Sequence, residues 1–474
     1  MEEKIEELLQ KISYYKNRTK KELENTKDRI FISIFQEYNR LMHEKHKLDF
    51  DDMGLLCLEL FQRDESVLKK YQEKYKYIMI DEFQDINEIQ FRVIYLLMKK
   101  YRNLFVVGDD DQAIYSFRGA SPKFMLEFAQ FYPDTKKVLL ETNFRCSAPI
   151  VEKSLQVINE NTLRIKKEIK AFHSLGQGVA IRSFESPFQE YEYIAETIEQ
   201  LKAQQLPYKD ICCIFRTNSH ILPLAEFLAR KKIPFSMKEK SSSIFRHFIA
   251  KDIYHYLKFF YGGKKREDFL IIMNKPLRYL SRNACSREII LWQDLLEYYQ
   301  HRGYMKEVVE ELISLEKWFF QLDFFGAVYY LRKAGGYETY LKEQAKAQNL
   351  EWRELEDILE FIHHSLKNIS SLEQWEERIE EYEERLKRSK EEKNGVSLMT
   401  MHACKGLEYP VVFLPDCNEG KVPHNKAATK EEIEEERRMF YVAMTRAKER
   451  LEILYLKNEK KEYLQKSRFL NSIT

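Results

Sequence analysis

The segment Tyr77-Ile78-Met79-Ile80-Asp81-Glu82-Phe83-Gln84-Asp85 constrains this chain most, because an apolar run of strand length stops there at a pair of acids. Acids at the end of a strand can simply open a turn. They are also how nucleotide hydrolases present Mg²⁺ and an attacking water. A second apolar run, Leu104-Phe105-Val106-Val107, leads directly into Gly108-Asp109-Asp110-Asp111-Gln112-Ala113-Ile114-Tyr115-Ser116-Phe117-Arg118-Gly119-Ala120. An acidic loop has no need of Gln, Tyr, Phe and Arg at this spacing. A site that couples a γ-phosphate to a stacked nucleobase needs each of them.

Three more segments fit the same design: Glu141-Thr142-Asn143-Phe144-Arg145, Thr400 to Pro410 (Thr-Met-His-Ala-Cys-Lys-Gly-Leu-Glu-Tyr-Pro), and Glu434 to Lys448. Taken in order, from Leu48-Asp49-Phe50-Asp51-Asp52 to Lys466-Ser467-Arg468-Phe469-Leu470, the set closely resembles the UvrD/Rep/PcrA group of superfamily 1 DNA helicases over nearly the whole chain. The resemblance implies an α/β fold with two RecA-like P-loop NTPase domains, parallel sheets and an all-helical insertion in the second domain. It also implies ATP and Mg²⁺ as cofactors, and single-stranded DNA and DNA junctions as partners.

That family needs a Gly-x-x-x-x-Gly-Lys-Ser/Thr loop, whose amides and Lys hold the phosphates. Here the Gly-Lys dipeptides are Gly263-Lys264, followed by Lys265, and Gly420-Lys421, followed by Val422, and neither has the leading Gly or the hydroxyl residue. In the family the loop lies far upstream of the Leu-Asp-Phe-Asp-Asp motif, and only 47 residues precede that motif here. The first RecA-like domain is therefore expected to be incomplete, with its phosphate loop supplied by a separate polypeptide or lost from the sequence. No nuclease domain or long tail is expected after the last motif.

A length of 474 residues suggests about three domains at roughly 150 residues each. The net charge of +2 means that nucleic-acid affinity must come from a local basic and aromatic groove. The cysteines (Cys57, Cys146, Cys212, Cys213, Cys285, Cys404 and Cys417) show no metal spacing, and no secretory signal precedes them, which predicts reduced thiols in a cytoplasmic protein. No apolar run approaches a membrane span of about 20 residues.

Along the chain, residues 1–47 read as amphipathic helices, a remnant of the first-domain insertion in which Lys16, Arg18, Lys20 and Lys21 could touch a DNA backbone. Residues 48–139 read as the carboxy-terminal part of the first RecA-like domain, with a helix from Ile89 to Tyr101 between its strands. The second RecA-like domain takes residues 140–240 and 392–474. Its strands are predicted at Gly178–Phe184, Ile211–Phe215, Val396–Met401, Val411–Leu414 and Leu451–Leu456. Strand signals vanish in 241–391, the predicted helical insertion. There Asn274-Lys275-Pro276-Leu277-Arg278 is either a family element or a helix-ending turn.

The resemblance, with what each side chain can do, assigns the roles. Asp81 holds the metal, and Glu82 orients or deprotonates the water. Gln112 senses the γ-phosphate, and Arg118, Arg145 and Arg446 spread transition-state charge. Gln84, Phe144 and Glu408 join the nucleotide set, Phe144 as a stacking face where the family commonly has Tyr and Glu408 as a partner for ribose hydroxyls. Phe50, Tyr115 and Phe117 stand where the family's aromatics meet bases, and Thr400 and His402 stand near the DNA backbone. For the aromatics the competing reading is a core ring, and for His402 a structural hydrogen bond. As a whole, the expected protein is a 3′-to-5′ ATP-dependent DNA helicase or translocase acting in repair, replication or recombination. The alternative is an inactive helicase-like protein that binds DNA or a partner.

Overall fold

In a computed structural model of the protein, residues 2–17, 28–174, 176–237, 243–348, 350, 352–459 and 462–473 are described. The strands are β1 (Ile78–Ile80), β2 (Leu104–Val106), β3 (Thr142–Ser147), β4 (Lys170–His173), β5 (Gly178–Phe184), β6 (Ile211–Phe215), β7 (Phe235–Met237), β8 (Val396–Thr400), β9 (Tyr409–Leu414) and β10 (Ala447–Leu456), followed by a short hairpin. The chain forms two compact units, Met1–Glu190 with Met401–Thr474, and Tyr191–Thr400. These divisions fall inside the stretches read as the second motor domain.

In the first unit β1 and β2 pair in parallel, with Met79 opposite Phe105. The inward residues Ile80 and Val106 meet a core of Phe83, Ile86 and Phe91, closed by Phe124, Met125, Phe128 and Phe131. The connecting helix Glu88–Met98 is fixed by a capping box, in which Asn87 accepts from the Gln90 amide while the Gln90 side chain accepts in return. It is the predicted helix, shortened at its end.

The Leu48–Asp52 motif also begins as a cap. Asp49 and Asp52 form the box that starts helix Phe50–Arg63. Both carboxylates bind the Lys16 ammonium, at 2.7 and 2.6 Å. Lys16 is itself buried, so it ties the amino-terminal helix Glu2–Lys16 down and is not offered to a DNA backbone. Arg18, Lys20 and Lys21 lie outside the described residues.

Farther along the same unit, β3 pairs with β4, and β5, β10 and β9 lie side by side in parallel. Helices Ala148–Ile158 and Lys430–Met444 pack on one another, and the second also meets the loop that follows β2. That loop is acidic and buried. Asp111 binds the Arg164 guanidinium at 2.7 Å, and Lys167 lies 2.6 Å from Asp110 and 3.0 Å from Asp111 and also pairs with Asp109. Burial alone would push the Lys167 pKa down. The three carboxylates overcome it and hold the pKa well above the usual range.

In the second unit β6, β8 and β7 are parallel neighbours, and helix Asn218–Arg230 packs beside them. From 243 to 391 no strand occurs among the described residues, as the sequence predicts. The helices gather around Trp375, fully buried, whose indole donates to Ser365 Oγ at 3.0 Å. The Asn274–Arg278 segment is a turn after helix Arg266–Ile272. Buried Arg278 donates to Tyr256 Oη at 3.1 Å and to the Met273 carbonyl at 3.3 Å.

Removing Lys167 from the acidic loop leaves three neighbouring carboxylates with Arg164, bound to Asp111, as their remaining cation. Lys167→Met is expected to lower stability by about 3 to 5 kcal/mol, read by urea denaturation of the full chain. A loss below about 1 kcal/mol would show that the loop is held by something else.

Candidate active site

β1 ends at Ile80 and the chain turns at once. Glu82 takes a left-handed backbone conformation (φ 51°), which costs a non-glycine residue about 1 to 3 kcal/mol. A single 3₁₀ turn, Phe83–Asp85, follows. Asp81 and Glu82 are both exposed at this strand end. One Asp81 oxygen accepts the Glu82 amide at 2.9 Å. An exposed carboxylate at the end of a parallel strand fits a hydrated divalent cation.

The fully buried Gln84 joins this turn to the loop after β2. Its amide donates to Glu82 Oε2, and its carbonyl accepts the Asp109 N–H at 3.0 Å. The close approach explains the glycine before Asp109, because a Cβ on Gly108 would lie 2.5 Å from Gln84 Oε1. Gln84, expected among the nucleotide contacts, thus spends its amide inside the protein. Gln112 sits on the same loop and donates to Asp109 Oδ2 at 2.9 Å.

Lys405, which the sequence reading left without a role, lies at the centre of this cluster. Its ammonium pairs with Asp85, donates to the Gln112 carbonyl at 2.9 Å, lies 3.7 Å from Glu82 Oε2 and sits 5.1 Å over the Tyr115 ring. Burial pushes the Asp85 carboxyl up, against the pull of Lys405. One cation therefore touches the acid turn, the Gln112 backbone and the first aromatic of the next loop.

Two rings of that loop meet a third, His402, from the turn after β8. Tyr115 and Phe117 are 6.0 Å apart, and the His402 ring lies 5.2 Å from Phe117, edge to face, and 6.4 Å from Tyr115. Both loop aromatics are half-buried, so neither is a core ring. The exposed Arg118 guanidinium lies 5.5 Å from each. Glu435 of helix Lys430–Met444 grips the loop by accepting from the Ser116 amide at 3.1 Å and from its hydroxyl. Glu435 lies in the Glu434 to Lys448 segment, but the sequence reading gave it no role.

A second group forms between Arg145 of β3 and Glu408, which immediately precedes β9. Glu408 accepts from Arg145 Nε at 2.8 Å and pairs with Lys448 at 2.6 Å, and the two cations, Lys448 first, hold its carboxyl below the usual range. Phe144 is exposed and packs against Phe172, with ring centroids 5.0 Å apart. Arg446 is buried among acceptors: it donates to the Val442 carbonyl at 2.9 Å, the Leu407 carbonyl at 3.1 Å and Thr445 Oγ1 at 3.1 Å. Burial, then the like charge of Arg145, lowers its pKa, which places the two guanidiniums in one neighbourhood.

Of the remaining residues, Phe50 is 88% exposed at the first turn of its helix, which excludes a core role. Thr400 is buried at the end of β8 in the second unit. The site of the first unit therefore contains Asp81, Glu82, Gln112, Tyr115, Phe117, Arg118 and His402 in one connected cluster, with Arg145, Glu408 and Arg446 in another.

Comparison with known proteins gives this geometry a lineage. The chain matches the UvrD/REP helicase N-terminal domain over residues 1–133 and the UvrD-like helicase C-terminal domain over residues 138–458. It is 27% identical to YjcD of Bacillus subtilis (strain 168) over 493 aligned positions, covering 99% of this chain and 64% of that protein. It is 30% identical to the ATP-dependent DNA helicase PcrA of Staphylococcus epidermidis (strain RP62A) over 470 positions, covering 92% of this chain and 62% of the relative. PcrA of Staphylococcus aureus (strain NCTC 8325) is 30% identical over 466 positions, with the same two coverages of 92% and 62%. The chain thus spans 62 to 64% of the length of the curated relatives it matches. With the C-terminal helicase domain alone accounting for residues 138–458, the chain belongs to the UvrD/PcrA-type DNA helicase family.

Proposed function

We propose that this chain is the larger part of an ATP-dependent DNA helicase or translocase that moves 3′ to 5′ on single-stranded DNA. It would act in the cytoplasm at junctions formed in repair, replication or recombination. The phosphate-holding loop comes from outside these 474 residues. The observation that carries the reading is the Lys405 ammonium, because it touches both the acid end of β1 and the aromatic loop. A hydrolase that answers to DNA needs such a connection.

In this reading Asp81 holds Mg²⁺ and Glu82 positions the water. The metal, when bound, neutralises phosphate charge. Gln112 lies within reach of the reacting end, and Arg118, Arg145 and Arg446 supply cations. Arg446 must exchange its internal carbonyl partners for phosphate oxygens to do so. Glu408 and Phe144 offer a carboxylate and a flat face to the nucleoside. Phe50, Tyr115, Phe117 and His402 meet the DNA strand, whereas Thr400 is buried in the second unit and is left out of that set. A second reading, a helicase-like protein that binds DNA without turnover, is favoured by one observation: no Gly-x-x-x-x-Gly-Lys-Ser/Thr loop occurs in this sequence.

The purified 474-residue chain alone is expected to release no phosphate from ATP above background, because nothing in it holds the β- and γ-phosphates. DNA-stimulated release that Glu82→Gln abolishes would contradict this.

With the family's phosphate-loop segment added, hydrolysis should appear and depend on DNA. Arg446→Ala should then lower it by about 10³-fold or more while DNA affinity holds. Equal rates with Ala at 446 would remove Arg446 from the reaction.

Single-strand binding by the chain, read by fluorescence anisotropy over a salt series, should weaken by about 1 to 3 kcal/mol in Tyr115→Ala and in Phe117→Ala, with the salt slope unchanged, because stacking releases no counterions. Unchanged affinity in both folded variants would return these rings to a structural role.

A further inference from the structure

β3 and β4 run in parallel, with Thr142 opposite Lys170 and Asn143 opposite Ala171, and the register then breaks until Ser147 meets His173. Phe144, Arg145 and Cys146 therefore share a single opposite residue, Phe172. Asn143 builds the irregularity, because its side-chain oxygen accepts both the Arg145 and the Cys146 amides at 2.9 Å. Irregularities of this kind re-aim a side chain and gather beside active sites. The ring turned out here is Phe144, 66% exposed. The Phe172 ring lies against it at 5.0 Å, tilted by 38°, and is itself 64% exposed. His173, also exposed, ends the row by meeting Phe172 edge to face at 5.2 Å. The β3–β4 backbone pairing already holds the two strands together, so rings left this open are not spent on joining them. Their packing against one another fixes both, and a flat ligand that lands on them finds little side-chain freedom left to remove.

We infer that Phe172 is a specificity-determining residue of the nucleotide site, a second ring beside Phe144 that favours a purine base over a pyrimidine. A lone phenyl ring offers the two classes of base much the same face. An adjoining ring adds contact only for the larger one, and base preferences on aromatic surfaces come from such differences in stacking strength. The inference rests on the function proposed above, in which Phe144 faces the nucleoside. The source of the base follows from position. Phe144 is followed in the chain by Arg145, whose guanidinium is bonded to Glu408, whereas Tyr115 and Phe117, the rings that face DNA in that reading, gather around His402 and Lys405. The base on Phe172 is therefore that of the nucleotide and not one of the DNA strand.

The 474-residue chain as it stands serves for the test, with ATP or CTP at millimolar concentration as the probe. Saturation-transfer NMR reads the binding, because it detects weak association and is independent of hydrolysis. Saturation is expected at the adenine protons, with ATP bound at least about threefold more tightly than CTP. Phe172→Ala should weaken ATP binding at least about fivefold, as the loss of a stacking contact does, and abolish the preference over CTP. Phe172→Tyr keeps the ring and should behave like the parent. Circular dichroism should show both variants folded, since the side chain is exposed. Unchanged binding and preference in Phe172→Ala would overturn the inference, as would adenine saturation in the parent that an oligo-dT strand displaces, or no saturation in the parent at all. Phe144→Ala separates this inference from the reading beneath it. If ATP binding falls in Phe144→Ala and holds in Phe172→Ala, the inference fails and the functional reading stands. If it holds in both variants, Phe144 leaves the functional reading as well.

Discussion

The site depends on a single buried ammonium. Lys405 reaches Asp85, the Gln112 carbonyl, the Glu82 carboxylate and the Tyr115 ring from a turn that begins just after β8. Asp85 and Glu82 sit on the acid turn, and Gln112 and Tyr115 on two further turns. A point charge with three donors can serve several acceptors in a space where Arg, with its planar fork, would commit to one carboxylate. Without it, Asp85 would be a half-buried acid with no counter-charge, and the acid turn and the aromatic loop would be joined by the Gln84 tie and by backbone hydrogen bonds such as Phe83 N–H to the Val107 carbonyl.

Around this centre the protein uses the same economy twice more. Lys167 and Arg164 neutralise the three aspartates after β2, and Glu435 holds the aromatic loop through Ser116. The loop that carries Gln112, Tyr115, Phe117 and Arg118 is therefore anchored by charges from the segment after helix Ala148–Ile158 and from helix Lys430–Met444. A displacement of that helix would be felt by the loop. Arg446 follows the end of the same helix, which gives the aromatic loop and the buried cation a common support.

What the sequence makes legible is what repeats locally. The strands Gly178–Phe184 and Ile211–Phe215 are found where their apolar runs place them, because continuous hydrophobicity bounded by polar residues leaves little choice of element. The helical stretch is equally plain from its three-to-four-residue period. Partners distant in the chain are not legible. Nothing in the spacing of Lys405 points to Asp85, 320 residues earlier, or in that of Glu435 to Ser116. Lys16 looks like a solvated lysine until two caps of another helix surround it, and Gln84 looks like a ligand until its burial is seen. Charge pairing across the fold decides these cases, and period and composition carry no record of it.

The acid turn and the aromatic loop act as one piece through Lys405. The direct measurement is the DNA stimulation of ATP hydrolysis by the chain supplied with a phosphate-loop segment, compared between Lys405 and Lys405→Met, with single-strand affinity measured alongside. Stimulation should fall at least about tenfold in the variant while affinity changes by less than about threefold, as expected when a coupling and not a contact is removed. Stimulation equal to that of the parent would show that the two halves of the site communicate by another route.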